Sequence, residues 1–415
     1  MAKSNIIVGL DIGTSKIRVV IASVKEGEEK PKIIGVGETL SSGMRRGTII
    51  NIDEVAENIK KAIEQAELNS GVPIRSAYVS IGGNHIGIRE NKGLIVVSRA
   101  DLEVSEEDIS RVVDSASAIS LPANREIIHI VTRNFKLDNE EDIQDPLGMT
   151  GARLEVDALI IDGLSPHIKN LIKCVSGLGI KIESLVLNVL AASDAVLSKR
   201  QKELGVLVLD LGGGTSGMAI YEEGNLLYAH VLPVGSSHIT GDIAIGLRTP
   251  IDSAEKIKIR YGSALPSEIK KKDLINLSEL DEKEGGEINR REVAKIIEAR
   301  VQEIFDLVNK ELKKIGKQRL LPAGVVLVGG GSMMPGIVDL AKKEFGLPAQ
   351  LGFPTQVDSV IEKVNDPAFA TAAGLIVWAL QTHGRGGQKS ILSSSLHSAS
   401  GIMAKIKKLF GVFLP

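Results

Sequence analysis

The chain has one cysteine in 415 residues. A disulfide framework is therefore excluded within it, and the composition favours a reducing cytoplasm. Cys174 lies on a helical stripe with Ile168, Leu171, Ile172 and Val175, which reads as core packing. No run of 18 apolar residues occurs, so no bilayer-spanning helix is expected. Met1-Ala-Lys-Ser-Asn leads directly into an apolar strand, and no signal peptide is expected. A basic excess is missing too. With 50 Lys and Arg against 52 Asp and Glu the formal net charge is −2, and the chain as a whole has no nucleic-acid footprint.

What remains is a soluble globular composition, 43% hydrophobic and 25% charged, in a chain long enough for two or more domains. Glycine is plentiful, 43 residues, which suits tight turns and phosphate loops. Two stretches echo each other: Val8-Gly-Leu-Asp11-Ile-Gly13-Thr14-Ser15-Lys16 and Val206-Leu-Val-Leu-Asp210-Leu-Gly212-Gly213-Gly214-Thr215. Each is an apolar strand ending in Asp, then glycines and hydroxyl residues at a hairpin turn. Glycine lets backbone N–H groups approach a phosphate, the hydroxyls add donors, and Asp11 and Asp210 can each hold hydrated Mg²⁺. One such loop is a common turn. Two imply a duplicated α/β fold whose phosphate loops face one nucleotide.

In chain order, strands are expected near 5–12, 16–24 and 32–38, then a helix after Asn51 carrying Val55, Ile59, Ala62, Ile63 and Ala66 inward. A strand at Ala77–Ile81 follows. Residues 85–162 interrupt this layer with strands at Gly93–Ser98, Glu126–Thr132 and Val156–Ile161 and a helix opened by the capping box Ser105-Glu-Glu-Asp108. Asp138–Asp145 reads as a loop, and His129 as a strand histidine with no second metal ligand. A helix at Ser165–Leu178 and a strand at Ile182–Leu187 return to the first lobe, and Asn188 opens the helix crossing to the second. There, strands near 205–210, 216–221 and 226–232 lead to Gly235, a third close backbone approach before a helix N-terminus that favours anions. Glu255 and Lys258 share a helix face, as a solvated salt bridge or as hydrogen-bonding partners for a ribose or base. Helix 289–316 is amphipathic, and its outer face, with Arg291 and Arg300, is either a solvated surface or a receiver for an acidic segment. Gly329-Gly330-Gly331-Ser332 closes a strand and lets a flat ring lie against the backbone; a helix is expected at Met334–Phe345. A small-residue helix begins near Asp366.

The tail differs in kind. Residues 384–415 carry a formal +5 and no acid. A Gly/Ser-rich linker, 384–400, precedes a segment in which Ile402, Met403, Ile406, Leu409, Phe410 and Phe413 form one helical stripe, with Lys405, Lys407 and Lys408 off it. A basic amphipathic helix on a leash reads as a membrane-surface anchor for anionic lipid, in preference to a helix docked on its own domain. Alone it is too short to hold firmly, so many copies must act together.

The ordered set of two Asp-x-Gly loops, a Gly-rich adenosine loop and two small-residue crossing helices resembles the actin, heat-shock-chaperone and sugar-kinase superfamily. Within it, Asp11–Lys16, Asp210–Thr215, Ile239–Asp242, Ser253–Lys258 and the amphipathic C-terminus resemble the FtsA family of bacterial division proteins, over essentially the whole chain. The resemblance implies an actin-like two-lobed fold: 1–84 and 163–204 as subdomain 1A, 85–162 as the inserted subdomain 1C, 205–245 and 320–383 as 2A, and 246–319 as 2B. It implies ATP and Mg²⁺ in the cleft, with Asp11, Gly13, Thr14, Ser15 and Lys16 on one side of the phosphates and Gly212 to Thr215 on the other. Gly235, Glu255, Lys258 and Gly329 to Ser332 would surround the nucleoside. It further implies filaments of the protein with itself, later division proteins meeting 1C, and the FtsZ C-terminal peptide docking on 246–319. The expected location is the cytoplasmic face of the inner membrane at the division site.

One departure matters. Related ATPases carry Glu-Pro-x-Ala-Ala where this chain has Asn188-Val-Leu-Ala191-Ala192. That Glu orients the attacking water, and Asn cannot serve as a base, so slow or absent hydrolysis is expected. A sugar or acetate kinase would need a substrate pocket with a base, a chaperone would need a peptide-binding domain, and a PilM-type pilus adaptor would share the fold without the lipid-binding tail.

Overall fold

A computed structural model describes residues 5–25, 30–279 and 285–384. The candidate membrane residues Ile402 to Phe413, and the linker beyond Gly384, lie outside the described residues. Among those described, no helix is long and apolar enough to cross a membrane.

The chain opens with β1 (Asn5–Ile12), β2 (Lys16–Val24) and β3 (Lys32–Leu40), a two-residue-strand hairpin of β4 (Met44–Arg45) and β5 (Thr48–Ile49), α1 (Ile52–Ser70) and β6 (Ser76–Ile81). Asn51 caps α1 by accepting from Asp53 and Glu54 amides, satisfying free donors of the first turn. Its buried residues are Val55, Ile59, Ala62, Ile63 and Ala66, as the periodicity requires.

The insertion comes next: β7 (Gly87–Val96), α2 (Glu106–Ser117), β8 (Arg125–Leu137), β9 (Glu140–Ile143) and β10 (Arg153–Leu164). They form a sheet of order β7-β10-β8-β9 with a core of its own that includes Val112, Phe135, Leu154 and Ile160. The Ser105–Asp108 capping box is present. Against the upward push of burial, hydrogen bonds from Ser105 and Ser98 hold the Asp108 carboxyl at about 2. Two expectations need correction. The loop expected at 138–145 contains β9, because Asp138 at φ 54 turns the chain back onto β8 and the exposed edge position tolerates its acidic sequence. β7 starts at Gly87, before the apolar run, since pairing with β10 extends through its polar half.

The chain returns through α3 (Ser165–Ser176), β11 (Lys181–Leu187), α4 (Asn188–Val196) and α5 (Lys199–Leu204). The second lobe has β12 (Val206–Leu211), β13 (Ser216–Glu222), β14 (Asn225–Leu232), α6 (Ser236–Leu247), α7 (Ile251–Tyr261), β15 (Leu274–Asn276), β16 (Glu287–Asn289) and α8 (Arg290–Lys314). It closes with β17 (Val325–Val328), α9 (Ile337–Phe345), β18 (Ala349–Leu351), β19 (Asp358–Ser359) and α10 (Ala370–Gly384). The helix expected from Met334 starts three residues later, because Pro335 and Gly336, at φ 79, interrupt it.

The two main sheets run β11-β6-β1-β2-β3-β19 and β14-β13-β12-β17-β18. In each, a meander of three antiparallel strands is extended on the first strand's free side by two parallel ones. Reading β3-β2-β1-β6-β11 against β14-β13-β12-β17-β18 shows one topology used twice. The repeat places Asp11 and Asp210 at equivalent strand ends. Between the lobes α4 crosses α10 closely enough that a Cβ on Gly374 would stand 1.7 Å from the Ala191 carbonyl oxygen. Cys174 and His129 are both buried.

Candidate functional site

Both phosphate-loop candidates turn for the same steric reason. A Cβ on Gly13 would lie 2.6 Å from the Lys16 carbonyl oxygen, and one on Gly212 2.8 Å from that of Thr215. The loops then meet across the interlobe cleft. A Cβ on Gly213 would fall 2.0 Å from Ser15 Oγ, and one on Gly214 2.9 Å from Thr14 Oγ1. Only glycines permit this approach.

Behind the loops stand the two aspartates. Ser80 Oγ donates to Asp11 Oδ1 at 2.7 Å and accepts from the Ile12 amide at 3.0 Å. Asn188 Nδ2 donates to Asp210 Oδ2 at 3.3 Å. Burial and the neighbouring Asp11 charge push Asp210 up to about 7, and burial raises Asp11 against the pull of Arg18. Two carboxylates held in one desolvated place are an arrangement that a divalent cation would relieve. Among the described residues no group of three or more His, Cys, Asp or Glu side chains could hold a metal. An ion here would rely on these two carboxylates, water and its ligand, the coordination habit of Mg²⁺.

Gly235 packs against the second loop, where a Cβ would stand 2.6 Å from the carbonyl oxygens of Gly212 and Gly213. Those carbonyls accept from Ser236 and Ser237 N–H at 2.8 Å. The first amides of α6 thus pin the loop instead of pointing into the cleft. Lys258 is buried, pairs with Glu255 at 2.7 Å and donates to Thr240 Oγ1 at 2.8 Å, while the Thr240 hydroxyl donates to Glu255. This is a built network joining α6 to α7, and the solvated-surface reading of the pair fails on the burial of Lys258. Gly329, at φ 83, comes so near Asp210 that a Cβ would be 2.3 Å from Oδ1, whereas a Cβ on Gly330 would meet nothing within 4 Å. Ser332 Oγ closes the turn on the Gly329 carbonyl at 2.7 Å. The structure thus brings Thr14, Ser15 and Gly212 to Thr215 together, with Gly235, Glu255, Lys258 and Gly329 to Ser332 along the second lobe.

Lys16 goes elsewhere. Its Nζ lies 3.1 Å from Glu38, which also receives Arg18 at 3.1 Å and Lys363 at 2.8 Å. Against partial burial, Lys363, Arg18 and Lys16 hold the Glu38 carboxyl at about 2. Of the two partner candidates, Arg300 grips Asp242 through Nε and Nη2 at 2.6 and 2.9 Å and pairs with Glu303 through Nη1, whereas the buried Nε of Arg291 has no hydrogen-bond partner. Sequence reasoning missed Ser80, Glu38 and the β4–β5 hairpin, and it quoted Thr240 within Ile239–Asp242 without giving it a role. Ser80 carried a signal, as a polar residue in the otherwise apolar end of β6 facing Asp11.

A family model described as "Cell division protein FtsA" matches residues 207–374, and one described as "SHS2 domain inserted in FTSA" matches 83–162. The chain is 37% identical over 392 residues to the cell division protein FtsA of Pseudomonas aeruginosa, covering 94% of this chain and 93% of that protein. With FtsA of Bacillus subtilis it shares 37% over 379 residues, covering 91% and 84%. Among solved structures, the PilM–PilN type IV pilus biogenesis complex is similar at a TM-score of 0.66 and 16% identity, over 90% of this chain and 98% of that one. MreB5 of Spiroplasma citri bound to ADP is similar at 0.53 and 13%, over 92% and 99%. These likenesses show that the duplicated two-lobed fold is actin-like, carrying an inserted domain. The chain belongs to the FtsA family of cell division proteins.

Proposed function

We propose that the cleft binds ATP with Mg²⁺, and that the bound chain is a filament-forming division protein which attaches the FtsZ ring to the inner membrane and recruits later division proteins. The observation that carries the nucleotide reading is the meeting of two topologically equivalent Gly- and hydroxyl-rich loops in front of two aspartates, half-buried Asp11 and buried Asp210. Thr14, Ser15 and Gly212 to Thr215 would take the phosphates. Asp11 and Asp210 would face the cation, whose chemistry is to neutralise charge between carboxylates and phosphate. The open face at Gly330 and the Glu255–Lys258 pair would receive the nucleoside. That a fold neighbour is MreB5 bound to ADP supports this reading.

Asn188 limits the chemistry open to a bound nucleotide. Its amide orients Asp210 but cannot accept a proton from water, so the site serves to hold two lobes in one relative position. A fixed lobe angle would present repeatable surfaces for self-assembly. For the FtsZ C-terminal peptide, the 246–319 region supplies the surface; there Arg300 is already doubly paired, while the buried Arg291 Nε has no partner.

The membrane reading rests on the basic amphipathic segment 401–415. Co-sedimentation with anionic liposomes, ATP and FtsZ tests the assembly: full-length protein is expected to bring FtsZ down, and neither a 1–400 truncation nor FtsZ lacking its C-terminal peptide to do so. Equal pelleting of FtsZ in all three arms would overturn the tether.

A further inference from the structure

The β4–β5 hairpin stands over both loops. Its register pairs Arg45 with Thr48, leaving Arg46 and Gly47 as a two-residue turn with φ of 49 and 73. Positive φ at both positions is the type I′ hairpin geometry, which Asn-Gly or Asp-Gly adopts readily and arginine resists. The turn is fixed to the cleft from two sides. The Gly47 amide donates to Thr14 Oγ1 at 3.0 Å in the first loop. The Arg46 backbone packs on the second, since a Cβ on Gly214 would stand 2.9 Å from Arg46 Cα. The Arg46–Gly47 turn therefore bridges the two loops, Gly47 holding the first and the Arg46 backbone lying on the second, with Arg46 itself exposed.

Three other cations near the loops are paired. Lys16 and Arg18 are paired with Glu38, and Lys258 with Glu255. Arg46 is exposed, and among the described residues its guanidinium has no hydrogen-bond or ion-pair partner. An unfavourable residue for its turn, without a counter-ion and seated where two phosphate loops converge, lacks a structural reason for being arginine. We propose that Arg46 is a phosphate-binding residue, a guanidinium supplied from within the chain to the terminal phosphate of a nucleoside triphosphate. This rests on the nucleotide reading of the cleft and adds to it a basis for distinguishing tri- from diphosphate. A planar fork of donors suits a phosphate that has three free oxygens, and a diphosphate, one group shorter, would not reach it.

The test is equilibrium titration of the full chain with ATP and with ADP, each with Mg²⁺, in the wild type, Arg46→Asn, Arg46→Lys and Arg45→Ala. Asparagine suits the turn, so Arg46→Asn is expected to melt no lower than wild type while its preference for ATP over ADP falls by roughly 10-fold, through weaker ATP binding alone, as expected for loss of a charge-assisted hydrogen bond. Arg46→Lys should recover part of the preference, and Arg45→Ala should keep it. An unchanged ATP-to-ADP ratio in Arg46→Asn, an equal loss for both nucleotides, or loss of the preference in Arg45→Ala instead would each overturn the assignment. A wild-type chain that binds neither nucleotide would overturn the cleft reading itself, a result separable from the rest.

Discussion

Asn188 and Asp210 join the two lobes at the floor of the cleft: the side-chain amide at the start of α4 donates to the carboxylate at the end of β12, 3.3 Å away. The amide oxygen of Asn188 is buried with no partner, which marks a place for a donor from water or ligand. Replacing Asn188 by Glu would supply a base at this point and a third carboxylate beside two strained ones. The expected outcome is faster phosphate release from ATP, together with a nucleotide-free protein destabilised by about 1–3 kcal/mol. Phosphate-release assays and denaturant unfolding read the two effects separately.

The raised Asp210 fixes a pH dependence. Its carboxyl titrates near 7 in the folded cleft against 3.8 ordinarily, so between these values the folded chain binds more protons than the unfolded one. By linkage this contribution lowers stability as pH rises from about 4 to 7. His85 and His129, held near 4 by burial, act in the opposite sense between about 4 and 6.5, so the comparison must be with Asp210→Asn. In melts of the nucleotide-free protein, stability of wild type relative to Asp210→Asn should decline across pH 5 to 7. A parallel pair of curves would remove the aspartate pair as a strained feature.

Gly374 tests the helix crossing between the lobes. Alanine there would set its methyl 1.7 Å from the Ala191 carbonyl oxygen, in a place without a flexible side chain to yield. α10 and α4 would have to part. The cost should reach or exceed the roughly 1–3 kcal/mol of an overpacked core, seen as an earlier midpoint in denaturant unfolding.

Arg125 is the clamp at the root of the insertion. It pairs with the fully buried Asp162, whose other ion-pair partner is the partly exposed Arg89 at 2.9 Å, and donates to the His85 carbonyl at 2.9 Å. Arg125→Ala would leave a buried carboxylate half-compensated, at a cost of about 3–5 kcal/mol. Hydrogen exchange is expected to rise first near 85–88 and 162–165, where the insertion leaves the first lobe.

Much of this architecture is legible in the sequence because it is local. The Asn51 cap, the Ser105–Asp108 box and the apolar stripe of α1 depend on residues within one or two turns. The echo of Asp11 and Asp210 is legible because duplication writes one turn chemistry twice. What escaped depends on pairing at a distance. The acidic 140–143 segment gains strand form only from β8, and Lys16 turns to Glu38 because the β2–β3 register sets Arg18 opposite Glu38 and Lys16 beside it. Thr240 joins Glu255 and Lys258 only once α6 lies on α7. The β4–β5 hairpin has strands of two residues each, too short for any periodicity, and its arginine occupies a turn position where sequence rules expect asparagine or glycine.

In the proposed function the cleft holds ATP and hydrolyses it slowly or not at all. The most direct measurement is the fate of labelled ATP bound to the full-length protein with Mg²⁺, quenched over seconds to hours and separated into ATP, ADP and phosphate. Bound ATP should be recovered intact, with turnover far below the roughly 1–100 s⁻¹ of kinases. ADP and phosphate appearing at such rates would contradict the claim.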